Sequence, residues 1–334
     1  MIISYEVYTE YFKIINSKLI ELVVWDEAHN LKNSSSKRSI STSRIRAARR
    51  VVITGTPIQN TFDEFFHLLN LACPSYLDQD DFYAEYSWPI KGLLKPGITK
   101  EMKNEYEAKL QDLHARINAV MLHRTVMEHG TGMPAKHVNI VFCRMQLAQL
   151  EIYSRLCKEE SLKTFTKIHL LEKVCAHPLL AKKQFAKNQQ VLAPINQHLD
   201  NVQDSADGSG KFRVLASLLK SFNGIREKVV VVSKYTEVLK RIQQHCKAEK
   251  YDCSLYDGSL SNTARQNVVD TFNDPSNTIF HVLLLSMKAG GCGLNLIGAW
   301  RLVMFDADWN PANDDQAMAR VWRLSQTKEC HIYR

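Results

Sequence analysis

Two adjacent carboxylates, Asp26 and Glu27, follow directly on the apolar run Leu-Val-Val-Trp at residues 22–25. Such a run predicts a buried strand of a parallel sheet, because both faces of that kind of sheet are covered. Ligand sites in open α/β sheets lie at the carboxyl ends of the strands. A carboxylate there can hold Mg²⁺, and its neighbour can activate a water for attack on a phosphate. Taken alone, the pair is more typical of a solvated turn.

A second polar segment follows the next predicted strand. Residues 51–53 (Val-Val-Ile) are succeeded by Thr54, Gly55, Thr56 and Pro57. Glycine lets the backbone turn sharply, the threonines place hydroxyl groups beside the strand end, and proline stops the strand. Two strand ends that carry carboxylates and hydroxyls side by side predict one edge of a phosphate-transfer site.

The second half of the sequence offers groups that suit the phosphates of a nucleotide. The glycine cluster at 290–293 can present backbone N–H groups closely to a phosphate, with Ser286 and Lys288 beside it. Arg320 and Arg323 stand three residues apart, so we predict that both project from one face of a helix. Two such arginines suit the clamping of a transferring γ-phosphate. A tight strand-to-helix turn and a solvated arginine pair are the plain alternatives.

The pattern of elements predicts the fold class. Strands alternate with helices in the second half, which is typical of a doubly wound α/β domain. A Lys-, Gln- and Asn-rich stretch followed by Asp, Ser and Gly residues is the best linker candidate. We therefore expect the end of a first lobe at 1–70, a helical region at 71–182, a linker at 183–210 and a second lobe at 211–334.

Residues 1–5 are predicted to form a strand. A basic helix is predicted after the first acidic segment, through Arg44, Arg46, Arg49 and Arg50. The formal net charge of the chain is +8. That charge suits an anionic partner such as nucleic acid, although many enzymes with neutral ligands are equally basic.

Other local features argue against further sites. Ser209-Gly210-Lys211 resembles a phosphate loop but lacks the upstream glycine and the preceding strand. His177 precedes a proline and is typical of a structural cap. The 8 cysteines are scattered without a Cys-x-x-Cys pair, which favours free thiols over disulfides or zinc. No apolar run is long enough to cross a bilayer, so no membrane partner is expected.

Taken together, these segments resemble the Swi/Snf-type DNA-dependent ATPases of helicase superfamily two. Within that family they are similar to the recombination-repair translocases that assist a strand-exchange recombinase. The segments follow the family's order, and the run Lys-Ala-Gly-Gly-Cys-Gly-Leu-Asn-Leu-Ile-Gly is highly specific. The matching segments are 2–5, 26–29, 31–33, 54–60, 256–258, 286–296, 305–311 and 316–323.

The resemblance implies an α/β fold of two RecA-like lobes, the first incomplete, with parallel sheets flanked by helices and a helical insertion. It implies ATP and Mg²⁺ as cofactors, and ATP hydrolysis coupled to movement on double-stranded DNA. A strand-exchange recombinase is the implied protein partner, and the nucleus is the implied location. Binding to DNA would be led by the phosphate backbone, sensitive to salt and largely independent of sequence.

The resemblance also assigns roles to individual residues. Asp26 would bind Mg²⁺ and Glu27 would activate water, while Arg320 and Arg323 would be arginine fingers. The implied coupling residues are Thr54, Gly55, Thr56 and Pro57, the implied nucleotide-binding residues are His29, Gly291, Gly293 and Gln326, and the implied DNA-binding residues are Lys32, Asn33, Ser286, Lys288, Trp309 and Asn310.

The family's phosphate loop, a turn of the Gly-Lys-Thr type, has no counterpart in the sequence, so we expect it upstream of Met1. Without its N–H groups and lysine, this chain alone should not turn over ATP. Two alternatives stay open: a non-hydrolysing remnant that binds DNA or a partner, and a nucleosome remodeller of the same superfamily. The intact carboxylate and arginine pairs favour an ATPase over a remnant, because a binding remnant has no chemical need for them.

Overall fold

The computed structural model describes residues 1–55, 61–92, 97–124, 132–187, 195, 197–287, 289 and 293–334. Its contacts divide the chain into two units, Met1–His129 and Gly130–Arg334. The four-part division into domains made from the sequence stays a prediction. None of the helices within the described ranges has the length and hydropathy that a membrane crossing requires.

The first unit is built around a two-stranded parallel sheet. Its elements are α1 (Tyr5–Asn16), β1 (Ile20–Trp25), α2 (Lys37–Ser43), β2 (Ala47–Val52), α3 (Phe62–Ala72), α4 (Gln79–Phe82), α5 (Trp88–Gly92) and α6 (Lys100–Asn118), with a 3₁₀ turn at Ala28–Leu31 and a π-helical turn at Tyr83–Ser87. β1 and β2 pair in parallel, with Trp25 opposite Val52. The core beside the sheet joins Trp25 to Tyr8, Leu31 and Leu68. The strand predicted before the carboxylate pair is therefore present. Its predicted burial on both faces is wrong, because Leu22 and Val24 are 54% and 50% exposed on the face away from this core.

The strand predicted for residues 1–5 is wrong, because a helix begins there. The Ser4 hydroxyl accepts a hydrogen bond from the Val7 N–H at 3.3 Å, which is the usual way a serine caps the start of a helix. Met1 and Ile2 are exposed in front of this cap. The short apolar run thus precedes α1 and packs into neither sheet.

The basic helix predicted through the arginines is also wrong, because α2 ends at Ser43 and residues 47–52 form β2. The Asn16 side chain explains the change of direction. Its amide nitrogen donates to the Arg44 carbonyl at 2.7 Å, and its oxygen accepts from the Arg46 N–H at 2.7 Å. These bonds hold the chain between α2 and β2, and pairing with β1 then overrides the local pattern of the sequence.

The second unit contains a six-stranded parallel sheet. Its strands are β3 (Lys136–Asn139), β4 (Val229–Ser233), β5 (Asp252–Tyr256), β6 (His281–Ser286), β7 (Arg301–Met304) and β8 (Cys330–Tyr333), and its helices are α7 (Leu147–Lys158), α8 (Thr164–Ala176), α9 (Lys182–Lys187), α10 (Gly210–Gly224), α11 (Thr236–Ala248), α12 (Asn262–Asn273) and α13 (Pro311–Met318). The strand order is β3-β8-β7-β4-β6-β5. Short 3₁₀ turns lie at Pro178–Ala181, Gln197–Asn201 and Ala206–Gly208.

The central strand β4 shows how this sheet is covered. Val229 and Val231 pack in one core with residues of α10 and α11, while Val230 and Val232 pack in another with residues of α12 and α13. All four valines are 0% exposed. Because both faces are buried, the strand is a continuous apolar run without polar alternation. This arrangement confirms the predicted doubly wound α/β class.

His177 caps a turn, as its position before a proline predicts. Its Nδ1 accepts from the Leu179 N–H at 3.3 Å, and its Nε2 lies 3.1 Å from the Ser205 carbonyl oxygen. These partners fit the neutral tautomer with the proton on Nε2. Burial, and then the charge of Arg241, lowers the pKa of His177 to about 4. Protonation would also turn Nδ1 into a donor that faces the Leu179 N–H.

This shifted pKa makes the stability of the second unit depend on pH. Between about pH 6.5 and about pH 4, the unfolded chain binds a proton at His177 that the folded chain does not bind, so stability falls as the pH falls. We expect about 2 kcal/mol less stability at about pH 5 than at about pH 7.5 from this group. Urea unfolding of the wild type and of His177→Gln at both pH values measures this difference. A wild type and variant that lose equal free energy on acidification would contradict the prediction.

Candidate functional site

The ends of β1 and β2 are held side by side by two backbone hydrogen bonds beyond the paired strands. The Ile53 N–H donates to the Trp25 carbonyl at 2.8 Å, and the Ala28 N–H donates to the Ile53 carbonyl at 2.9 Å. The chain segment that carries Asp26 and Glu27 therefore lies directly beside the segment that leads to Thr54. Gly55 follows at the surface, whereas Thr56 and Pro57 lie outside the described residues.

Glu27 adopts a backbone conformation that is unusual for its residue type. Its φ of 48° and ψ of 47° are left-handed, and such a conformation costs about 1 kcal/mol or more when the residue is not glycine. Local bonds hold it in place. The Glu27 N–H donates to Asp26 Oδ1 at 2.9 Å, and the Asn30 side chain donates to the Glu27 carbonyl at 2.9 Å. Strain of this kind at a strand end is typical of a functional position.

His29 lies beside the Glu27 carboxylate. Its Nδ1 is 3.3 Å from Glu27 Oε2, and its side chain is 22% exposed. The structure thus brings together three residues that the sequence nominated: Asp26, Glu27 and His29. The contact lacks hydrogen-bond geometry, since His29 Nδ1 is buried without a hydrogen-bond partner among the described residues.

Tyr5 stabilises the turn that carries Asp26 and Glu27. This role was not predicted from the sequence. The Tyr5 hydroxyl donates to the Asp26 carbonyl at 2.6 Å. Burial, together with the charges of Asp26 and Glu27, raises the pKa of Tyr5 to about 12, so the phenol keeps its proton. Tyr5 belongs to segment 2–5, which matches the family, and this match could have indicated a functional role. The prediction of a strand for that segment concealed it.

The donor set at this strand end fits Mg²⁺. Asp26 is exposed, and its Oδ1 is oriented by the Glu27 N–H. Within the described part of the chain, no three His, Cys, Asp or Glu side chains come together as a metal cage. Mg²⁺ does not require one, because it usually keeps several waters and binds one or two carboxylates together with substrate phosphates.

A basic cavity of about 530 Å³ follows the acidic turn in the first unit. Lys32 and Asn33, both predicted to contact DNA, line it together with Lys37 and Arg38. The Asn33 side chain shapes the loop, since its oxygen accepts hydrogen bonds from the Ser35 N–H at 3.0 Å and the Ser35 hydroxyl at 2.7 Å. Lys37 and Arg38 were not predicted from the sequence to contribute to this site. Two adjacent basic residues five and six positions after Lys32 could have indicated a basic surface here.

Arg320 and Arg323 do not share a helix face, so that prediction is wrong. Helix α13 ends at Met318, and the chain continues in turns in which the Arg320 N–H donates to the Ala317 carbonyl at 3.2 Å. The Arg320 carbonyl also accepts from the Leu296 N–H at 2.9 Å. The Arg320 carbonyl is thus bonded to a distant loop and not to a later turn of α13. The spacing of residues along the sequence cannot predict such a contact.

The two arginines consequently have different surroundings. Arg320 is 7% exposed and lines a cavity of about 640 Å³ with Lys234, Tyr235 and Asp308. The Arg323 guanidinium donates to the Leu294 carbonyl at 2.9 Å, next to Gly293. Gly293 has a φ of +47°, a conformation that favours glycine. Lys288 and Gly291 lie outside the described residues.

A polar network in this second cavity was missed by the sequence reasoning. The Glu172 carboxylate accepts hydrogen bonds from Lys234 Nζ and from the Tyr235 hydroxyl, both at 2.7 Å. Burial raises the pKa of Glu172, but these hydrogen bonds outweigh it and leave that pKa below its ordinary value. Lys234 and Tyr235 directly follow a buried strand, which was the signal that could have found them.

The segment after β7 is positioned by buried carboxylates. The Ser233 hydroxyl donates to Asp306, which is 4% exposed, and burial raises the pKa of that carboxyl. Asp314, at 1% exposure, accepts from the Asp308 N–H at 3.0 Å and from the Arg334 guanidinium at 2.5 Å. Between these anchors, Trp309 stays 77% exposed.

Of three other nominated residues, one is buried and two make hydrogen bonds to the backbone. Ser286 is buried at 3% exposure at the end of β6. The Asn310 side-chain oxygen accepts from the Ala312 N–H at 3.1 Å and so caps α13. The Gln326 amide donates to the Ala299 carbonyl at 2.9 Å and accepts from two backbone N–H groups at 3.1 Å. This placement makes Gln326 an internal brace between loops, and the sequence did not predict that role.

Comparison with known proteins identifies both halves of the chain. Residues 1–198 match the SNF2-related domain, and residues 210–325 match the helicase conserved C-terminal domain. The crystal structure of the C-terminal part of the Fun30 ATPase domain is similar to this chain, with a TM-score of 0.50 and 26% identity. That likeness covers 60% of this chain and 84% of the solved chain.

Curated relatives extend the likeness over the whole sequence. The DNA repair protein rhp54 of Schizosaccharomyces pombe is 38% identical over 100% of this chain and 41% of its own length. The DNA repair and recombination protein RAD54-like of Drosophila willistoni is 38% identical over 100% of this chain and 45% of its own length. The chain thus spans less than half the length of these relatives. With its first 198 residues matching the family, the chain belongs to the SNF2-related family, as its motifs predict.

Proposed function

We propose that this chain carries most of an ATP-driven motor that moves along double-stranded DNA in recombination repair. The observation that carries the proposal is the turn after β1, in which a strained Glu27 and an exposed Asp26 lie beside the segment leading to Thr54. A buried or purely structural turn gains nothing from this strain. The relatives' names, which refer to DNA repair and recombination, supply the biological setting.

The acidic pair would divide the work of hydrolysis. Asp26 would hold Mg²⁺, which neutralises charge on the phosphates of bound ATP. The Glu27 carboxylate would orient the attacking water and accept its proton at Oε1 or Oε2. His29, with its Nδ1 3.3 Å from Glu27 Oε2, is the proposed nucleotide-binding residue beside this pair. Thr54 is the proposed start of the coupling segment and would sense a change in the neighbouring turn.

The second unit would supply positive charge to the transferring phosphoryl group. Arg320 and Arg323 are the proposed arginine fingers, whose guanidinium groups suit the equatorial phosphate oxygens. The bond from Arg323 to the Leu294 carbonyl couples that arginine to the glycine-containing loop. Movement of the loop would therefore move the arginine, which offers a route from DNA contact to catalysis.

Contacts to DNA would be made mainly to phosphates. In the first unit, Lys32 and Asn33 line a basic cavity with Lys37 and Arg38. In the second unit, Lys288, Trp309 and Asn310 keep the assignment that the resemblance gives them, and Trp309 is 77% exposed. Ser286, at 3% exposure, is left out of the proposed contacts. Backbone contacts of this kind give strong salt dependence and little sequence preference.

The finer assignments are part of the same proposal. A strand-exchange recombinase is the proposed protein partner, and the nucleus is the proposed location, both supported by the recombination and repair names of the relatives. This sequence contains no turn of the Gly-Lys-Thr type, so a polypeptide that also carries a phosphate loop is the correct material for every activity assay.

The Glu27→Gln change tests the assignment of the water-activating carboxylate. In a polypeptide that carries the phosphate loop, we expect the rate of ATP hydrolysis to fall at least about 100-fold, because glutamine cannot accept the proton. The affinity of the variant for ATP should stay within about twofold of the wild-type value, because the glutamine and glutamate side chains are nearly equal in size. Glu21→Gln is the matched control, because Glu21 is exposed on β1 before the site. Retained turnover in Glu27→Gln would remove this residue from the mechanism.

Assays of ATP hydrolysis, of movement along bare duplex DNA and of nucleosome sliding distinguish the competing functions. A wild-type polypeptide with its phosphate loop that binds ATP but never hydrolyses it would favour the non-hydrolysing remnant. A polypeptide that slides nucleosomes but does not move along bare duplex DNA would favour the remodeller.

Salt dependence tests the proposed contacts to the DNA backbone. We expect Lys32→Ala to weaken binding about equally for unrelated duplex sequences and to reduce the slope of log affinity against log salt by about one. Fluorescence anisotropy at several salt concentrations measures both quantities. Lys13→Ala is the control, because Lys13 is exposed on α1 and does not line the basic cavity. An affinity that does not change with salt would overturn the backbone-led interface.

A further inference from the structure

A groove on the second unit serves none of the proposed roles. It has a volume of about 960 Å³ and lies between the starts of α7 and α10. Its apolar floor consists of Leu147, Leu150, Val214 and Leu218, and Arg144 and Arg213 also line it. We call these six residues the α7–α10 groove.

The floor of the groove consists of two apolar stripes at helical spacing. Leu147 and Leu150 are three residues apart on α7, and Val214 and Leu218 are four apart on α10, so each pair shares a helix face. Leu147 is 87% exposed and Leu150 is 48% exposed. The core face of α7 is formed by other residues, among them Ile152 and Leu156. The exposed leucines therefore contribute little to the folded core.

The walls of the groove are fixed by one buried side chain. Gln149 is 1% exposed, and its amide nitrogen donates to the Val174 carbonyl at 2.8 Å and the Cys175 carbonyl at 3.1 Å. Its oxygen accepts from the Gly210 N–H at 3.1 Å and from the Gln146 N–H at 3.2 Å. The amide thus ties the starts of α7 and α10 to the end of α8. A groove formed in advance loses less entropy when a ligand binds.

Gly210 allows the two walls to approach this closely. A Cβ atom at this position would lie 1.9 Å from the Arg144 carbonyl oxygen, so any larger residue would push the walls apart. The run Ser209-Gly210-Lys211, which resembled a phosphate loop, thus serves a different purpose. Ser209 caps α10 by accepting from the Phe212 N–H at 3.4 Å, and Gly210 brings that helix against the loop before α7.

The charge of the groove is positive. Arg144 is exposed, and the Arg213 side chain is 63% exposed with its Nε 3.8 Å from Asp207. None of the described residues that line the groove is acidic. A ligand that combines apolar side chains with carboxylates matches both the floor and the arginines, whereas DNA phosphates match the arginines alone.

We propose that the α7–α10 groove docks an acidic amphipathic segment of a partner protein. Apolar side chains at helical spacing would lie between the two stripes, and flanking carboxylates would meet Arg144 and Arg213. This is the helix-in-groove mode of recognition, in which anchors supply affinity and complementary charge selects the partner.

A pair of designed peptides tests the proposal directly. One fluorescein-labelled helical peptide carries leucines on one face and glutamates elsewhere, and its twin has lysine in place of every glutamate. Anisotropy titrations with the whole chain should give at least about tenfold tighter binding of the glutamate peptide. The double variant Arg144→Glu with Arg213→Glu should reverse this preference. Lys247→Glu, an exposed change on α11 outside the groove, should leave it unchanged.

Removing one apolar anchor separates docking from simple charge attraction. Leu147→Ser should weaken binding of the glutamate peptide about tenfold, because a leucine buried on docking contributes about 1.5 kcal/mol or more. Leu147 is so exposed that folding is not at issue, and circular dichroism of the variant checks this. The proposal is overturned if the wild type binds neither peptide, if the charge reversal leaves the preference intact, or if duplex DNA displaces the glutamate peptide from the groove.

Discussion

The parallel alignment of the β1 and β2 ends is the constraint on which the candidate site depends. Two backbone hydrogen bonds, from Ile53 to Trp25 and from Ala28 to Ile53, extend the pairing beyond the strands. In the turn between these two bonds, Glu27 has a left-handed conformation. The main-chain geometry therefore positions the carboxylate that would activate water. The hydrogen bond from the Tyr5 hydroxyl to the Asp26 carbonyl further stabilises the turn. This arrangement holds the site without a bulky set of side chains around it.

The second unit positions its loops by a different means, namely buried polar side chains at the strand ends. The Ser233–Asp306 and Asp314–Arg334 contacts hold the segment that presents Trp309. Groups buried in this way are costly unless they are fully paired, so each contact favours one loop arrangement over others. These contacts fix the loops at the end of the sheet, whose central strand β4 is apolar from Val229 to Val232.

The sequence predicted what depends on local pattern and failed where distant contacts decide. Continuous apolar runs located β4 and β6, and the strand-end rule located Asp26 and Glu27. The spacing of Arg320 and Arg323 suggested a helix, but a bond from Leu296 ends it earlier. Gln149 and Tyr5 escaped notice because their partners are far away in sequence, and a single polar residue carries no periodic signal.

If the strand-end carboxylates drive movement along duplex DNA, as we propose, displacement of a triplex-forming third strand measures that movement directly. The material is a polypeptide that carries a phosphate loop in addition to this chain. We expect the third strand to be released with ATP and to stay bound with a non-hydrolysable analogue. Release that is equal with both nucleotides, or absent with ATP despite tight binding to the duplex, would contradict it.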